Sequence, residues 1–85
     1  MRSWSTDTYL DRLAARHPTP AGAAVAALNV AQGAALLEMV ARFRHEPDHA
    51  ASVIARAADV REAALRLAEA DNAAVEVVAA AYALP

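Results

Sequence analysis

In the C-terminal half of the chain, apolar residues recur at alternating spacings of four and three. Val53, Ala57, Val60, Ala64, Leu67, Asp71, Ala74, Val78 and Ala81 make up this stripe, and Asp71 is its one charged member. Such a period belongs to a helix that presents a seam to a partner helix. No Gly or Pro interrupts the chain after Pro47 until the terminal proline, so the pattern predicts one helix over residues 47–83, about 55 Å long at ~1.5 Å per residue. Upstream, the segment over residues 20–44 is apolar on nearly every side from Ala21 to Ala41, with Asn29, Gln32 and Glu38 as the interruptions. A helix apolar all round is the central member of a bundle. A short third helix is predicted over residues 6–16, with Ser5 or Thr6 as N-cap and Tyr9, Leu10, Leu13 and Ala14 on its inner face. His17-Pro18-Thr19-Pro20 and His45-Glu46-Pro47-Asp48 separate the three segments. Pro18 disfavours helical geometry at His17, while Thr19 can cap the next helix with Pro20 at its first position.

The expected fold is therefore all-α: an antiparallel bundle of three helices (short, medium and long) within residues 1–85, read as a single helical domain or half-domain. Composition adds to this picture. The chain has 85 residues, and a domain so short buries only about 60–65% of its unfolded surface. About three residues in ten are Ala, which favours helix but buries little apolar area per side chain. Ala faces gain by letting backbones approach, usually across several helices. A 55 Å helix also outruns its two neighbours, so part of its seam is expected to meet another chain. The expectation is a homo-oligomer, a dimer first, that completes the bundle.

Charge and chemistry exclude several classes. Eight Arg and no Lys are spread along a chain of net charge −2, which leaves no basic stripe for nucleic acid. There is no cysteine, hence no disulfide and no thiolate metal site. His45 and His49 are four apart, but Pro47 lies between them, and no metal site is expected. The middle segment has the length of a membrane span. It is mostly Ala, however, and its three polar groups would each be costly in lipid, so a bundle helix rather than a membrane helix is expected. Met1-Arg2-Ser3-Trp4 leads into polar residues rather than an apolar run, so no signal peptide is read and a cytoplasmic location is expected.

Among candidate site residues Asp71 stands first. A carboxylate on a helix seam loses hydration and must be paired, protonated or used. Asn29 and Gln32, or an Arg of another subunit, are its candidate structural partners. Asn29 itself sits on a second stripe of Gly22, Ala26, Asn29, Gly33, Leu36, Val40 and Phe43, where one polar residue can set register or touch a ligand. Glu38 has Arg42 four residues on, and Glu62, Arg66 and Glu69 have the spacing of helix-surface ion pairs. Trp4 and Tyr82 are read as packing anchors, and His17 as an exposed turn residue. The string Pro18-Thr19-Pro20-Ala21-Gly22-Ala23 is a rigid turn opening a helix, with backbone N–H groups around Ala21 to Ala23 free to meet an anion or a polarised carbonyl.

The order of these features resembles the cyclodeaminase/cyclohydrolase family: the C-terminal domain of formiminotransferase-cyclodeaminase and bacterial methenyltetrahydrofolate cyclohydrolase relatives. The family turn typically reads Pro-Thr-Pro-Gly-Gly-Gly, answered here by Pro18 to Ala23 with alanine at two of the three glycines. Later Asp-x-x-Ala-Phe and Ala-Tyr-x-Leu-Pro pieces are answered by Asp71, Ala74 and Val75, then by Ala81, Tyr82, Leu84 and Pro85. The resemblance covers almost the whole chain and corresponds to the N-terminal half of the family domain. It implies an all-helical, dimer-forming domain acting on a tetrahydrofolate derivative, without metal. Relatives either expel ammonia from a formimino-folate or hydrolyse a methenyl bridge. On that basis Asp71 is the candidate catalytic acid–base, and Pro20, Ala21, Gly22, Ala23 and Asn29 are candidate ligand contacts. The other half of the bundle would come from self-association, from a separate second half-domain, or from the rest of a longer protein. A non-catalytic oligomerisation module derived from the same family is the competing expectation.

Overall fold

The computed structural model describes residues 1–44 and 47–83, so His45, Glu46, Leu84 and Pro85 lie outside the described residues. Three α-helices form it: α1 (Thr6–Ala14), α2 (Gly22–Arg42) and α3 (Pro47–Ala83). Ser5 caps α1, its Oγ accepting from the Thr8 N–H at 3.0 Å. Asp7 sits in the first turn, where it complements the positive helix end. α2 begins at Gly22, two residues after the start the sequence predicts, with Ala21 as its N-cap and no capping side chain. The reason is local: the Thr19 hydroxyl that could have capped the helix is engaged by α3.

α2 and α3 pack antiparallel along almost the whole of α2, while α1 makes no close backbone approach to either. Their joint core is built of alanine. Ala24, Ala31, Ala34 and Ala41 of α2 meet Ala50, Ala57, Ala64 and Ala68 of α3, and among the described residues no large side chain is fully buried. Small residues inside allow the helices to come together, and the large ones are turned outward.

That choice rotates both seams relative to the sequence pattern. On α3, Ala57 and Ala64 face inward as expected, but Val60, Leu67 and Val78 are about half to two-thirds exposed. Ala68 and Asn72, one position after Leu67 and Asp71, take the inner places. On α2 the whole stripe from Gly22 through Asn29 and Gly33 to Phe43 is exposed. Glu38 is also corrected. It is 3% exposed and faces Arg61 of α3 rather than Arg42. Arg61 Nη2 donates to Oε1 at 3.3 Å, and Nε lies 3.1 Å from Oε2 as an ion-pair contact without hydrogen-bond geometry. α2 is long and apolar enough to cross a membrane by length and composition.

Candidate functional site

The turn between α1 and α2 is pinned to the C-terminal third of α3. Thr19 is buried, and its hydroxyl donates to Glu76 Oε1 at 2.6 Å. A carboxylate acceptor makes this a charge-assisted bond. The Ala21 N–H donates to Asn72 Oδ1 at 3.0 Å, and Asn72 Nδ2 reaches Met1 Sδ at 3.2 Å. Because a backbone N–H can only donate, the Ala21 contact fixes which end of the Asn72 amide points to the turn. His17 Nδ1 lies 3.1 Å from the Thr19 carbonyl oxygen and 4.0 Å from Glu76 Oε1. With Nδ1 protonated, the ring donates to that carbonyl and faces the carboxylate. The Thr19–Pro20 peptide bond is cis.

Asp71 precedes Asn72 on α3 and is partly buried. Its Oδ2 is shut off from solvent and has no hydrogen-bond partner among the described residues. Neither Asn29 nor Gln32 bonds it, and Asn29 is exposed on the outer stripe of α2. A buried carboxylate oxygen without a donor is rare and needs a partner, whether water, an ion, a ligand or another chain.

Of the expected ligand contacts, Pro20 is buried in the turn and the Ala21 N–H is consumed by Asn72. Gly22 and Ala23 are exposed at the uncapped start of α2, so their N–H groups are the ones left open. A Cβ built at Gly22 would meet nothing within 4 Å. The alanines at 21 and 23 are thus consistent with this turn, and no packing in this chain demands glycine at 22.

Sequence reasoning missed Asn72 and Glu76, the two residues that hold the turn. Their signal is a polar row at Glu69, Asn72 and Glu76, spaced three and four within an Ala-rich helix. Glu69 anchors the N-terminal segment, taking the Arg2 N–H at 3.0 Å and the Met1 amino group at 3.5 Å. Glu62 accepts both Arg2 Nη1 and Nη2, at 2.9 and 3.1 Å. That fork holds the Glu62 carboxyl below the usual carboxylate range, through its hydrogen bond first and its charge second. Glu62 and Glu69 therefore serve the N-terminal segment, and Arg66 acts on Glu62 only as a neighbouring charge. Among the described residues, no group of three or more His, Asp or Glu is placed to hold a metal ion.

The formiminotransferase-cyclodeaminase family model matches residues 5–85, taking in the turn, α2, α3 and Asp71 together. The chain belongs to the formiminotransferase-cyclodeaminase family. The match is to its C-terminal domain, and the family is a folate-related one-carbon family. No curated protein matches the chain. No solved structure matches it either.

Proposed function

We propose that this family member supplies one wall of a folate-dependent one-carbon site, of the methenyltetrahydrofolate cyclohydrolase or formiminotetrahydrofolate cyclodeaminase type. The substrate is a tetrahydrofolate derivative and no metal takes part. The observation that carries the reading is the Asp71 carboxylate, with one oxygen buried and unpaired, next in sequence to the residue that clamps the helix-opening turn. In the hydrolytic reaction a water oxygen bonds to the electrophilic bridge carbon, and Asp71 accepts the proton released. Returning that proton to the departing nitrogen lets the carbon–nitrogen bond break. In the deaminating reaction a second folate nitrogen bonds to the formimino carbon and gives up its proton, and Asp71 passes a proton to the amino nitrogen, so that its bond to that carbon breaks and it leaves as ammonia. The open N–H groups of Gly22 and Ala23 hold a ligand oxygen through backbone alone. A second copy of the chain, or a separate second half-domain, closes the other side.

General acid–base groups contribute about 10²–10⁴-fold. Replacing Asp71 with Asn should therefore slow loss of methenyl-folate absorbance at least ~100-fold, with helicity by circular dichroism unchanged. A wild-type chain that neither binds folate in calorimetry nor consumes the methenyl derivative sinks the proposal.

A second reading is favoured by the outward-turned large residues: a family member kept as a non-catalytic association module. It expects an Asp71→Leu chain at least as stable as wild type, since an unused half-buried charge is better removed, together with no folate affinity.

A further inference from the structure

We infer that Arg56 of a second copy pairs with Asp71, across an antiparallel contact between two α3 helices related by a two-fold axis. The two residues are each other's complement. Asp71 is partly buried, with Oδ2 enclosed, and makes no hydrogen bond or ion pair among the described residues. Arg56 is exposed and likewise makes none among them, although Asp59 stands three residues on. Arg56 is the one charged side chain bordering the apolar groove between α2 and α3, as Asp71 is the one charge on the four–three stripe of α3. A lone charge covered by apolar side chains is tolerated when the opposite charge comes with them. The two cannot meet within one chain, because a continuous helix holds them about 22 Å apart.

The register follows from the helix itself. At ~100° per residue Arg56 and Asp71 lie about 60° apart around α3, on the flank that carries exposed Val60 and Leu67. A second α3 laid antiparallel, with its Arg56 opposite Asp71, brings Val60 opposite Leu67 and Val53 opposite Ala74, each pair occurring twice. The axis then falls between Ala63 and Ala64, whose small side chains let the backbones approach. Leu67, Asp71 and Ala74 of each copy enter the other's groove, where Gly33 and Ala34 leave room for Leu67. Sliding one turn either way sets Arg56 against Leu67 or Val75 and leaves both charges unpaired, so the pair fixes the register.

Asp71 is the group on which the proposed folate chemistry rests. The pairing deepens that reading by making the site shared between copies, with Arg56 as a positioning residue that reaches the side of Asp71 its own chain leaves open. The contact itself depends only on charge and register, and it is read without turnover.

Sedimentation of the full chain, singly and in mixtures, tests the pairing. Arg56→Glu and Asp71→Arg each set like charges together at both ends of the contact, so each should weaken self-association about 100-fold. Mixing the two single variants should restore the wild-type mass, because each copy then supplies the charge the other lacks. A role confined to one chain gives no such rescue. Register is read in the chain's cysteine-free background. Ala63→Cys, beside the axis, should oxidise to a linked dimer, whereas Val78→Cys, about 43 Å from its copy, should not. If either charge variant fails to fold by circular dichroism, the two cysteine variants decide. Single variants that associate like wild type, a mixture that stays dissociated, or no link through Ala63→Cys overturns the inference, as does a link through Val78→Cys. Assembly in this register without folate turnover leaves the pairing standing and sinks only the catalytic reading; turnover without this register does the reverse.

Discussion

Glu38 and Arg61 show how a residue's role is decided by what faces it across the fold rather than along the helix. Spacing pairs Glu38 with Arg42; the structure buries Glu38 and brings Arg61 over from α3. Nothing local announces this, because i,i+4 spacing describes one helix and the seam belongs to two. Arg61→Ala leaves a buried carboxylate without its cation and should cost about 1–3 kcal/mol in urea unfolding, at the modest end because Arg61 itself is half exposed. The double change Glu38→Met with Arg61→Leu should recover most of that loss. Full additivity of the two single changes would mean that the pair is not coupled. Gly22 is the opposite case. A Cβ there enters open space, so Gly22→Ala should leave the unfolding midpoint unchanged or slightly raised. If a ligand approaches the backbone at this turn, the same change should reduce methenyl-folate turnover. Equal turnover would show that the open N–H groups do not cradle substrate.

At the scale of elements, the three helices were legible because two proline-marked breaks and an uninterrupted Ala-rich run leave little choice. The faces were less legible. A four–three stripe marks where large apolar residues lie, yet the intramolecular core selected the alanines beside them and turned Val60 and Leu67 outward. Asp71 was legible as an anomaly; its neighbours Asn72 and Glu76 were hidden, since their partners sit some fifty residues away in the turn. The N-terminal segment gives an element-level prediction. Glu62 is held below the usual carboxylate range by Arg2, so its contribution to docking Met1–Trp4 is present above the ordinary glutamate pKa and fades as pH falls through the lowered value. Trp4 emission should therefore stay constant near neutral pH and shift to the red only in acid below the ordinary glutamate range. In Glu62→Gln the emission should be red-shifted already at neutral pH and lose that acid step. An unchanged acid step in the variant would assign it to another group.

The whole molecule is too extended to be a finished globule. It measures 61 × 22 × 17 Å with a radius of gyration of 16.4 Å, against about 12 Å for a compact chain of this length. Its accessible surface of 6124 Å² exceeds the roughly 4,800 Å² expected for its mass by about 1,300 Å². A partner in a standard interface contributes about 800 Å², so the excess is of the size that a second copy would cover. Three of the exposed large residues, Val30, Leu37 and Val60, are also placed together. Val30, Gly33 and Leu37 of α2 and Val53 and Val60 of α3 border one apolar groove of about 470 Å³, with Arg56 its one charged side chain. Side chains of both helices thus flank one trough, where a second helix pair can lay its own ridge. Folding and assembly should then be linked, and the melting temperature should rise with protein concentration. Leu37→Glu, at a position already 58% exposed, removes no internal contact of consequence yet places a charge in the groove. It should shift sedimentation toward the monomer and lower the melting temperature, most strongly in dilute solution. A wild-type chain that sediments as a monomer at every concentration, with full helicity, would leave those outward side chains without a partner and refute the assembly.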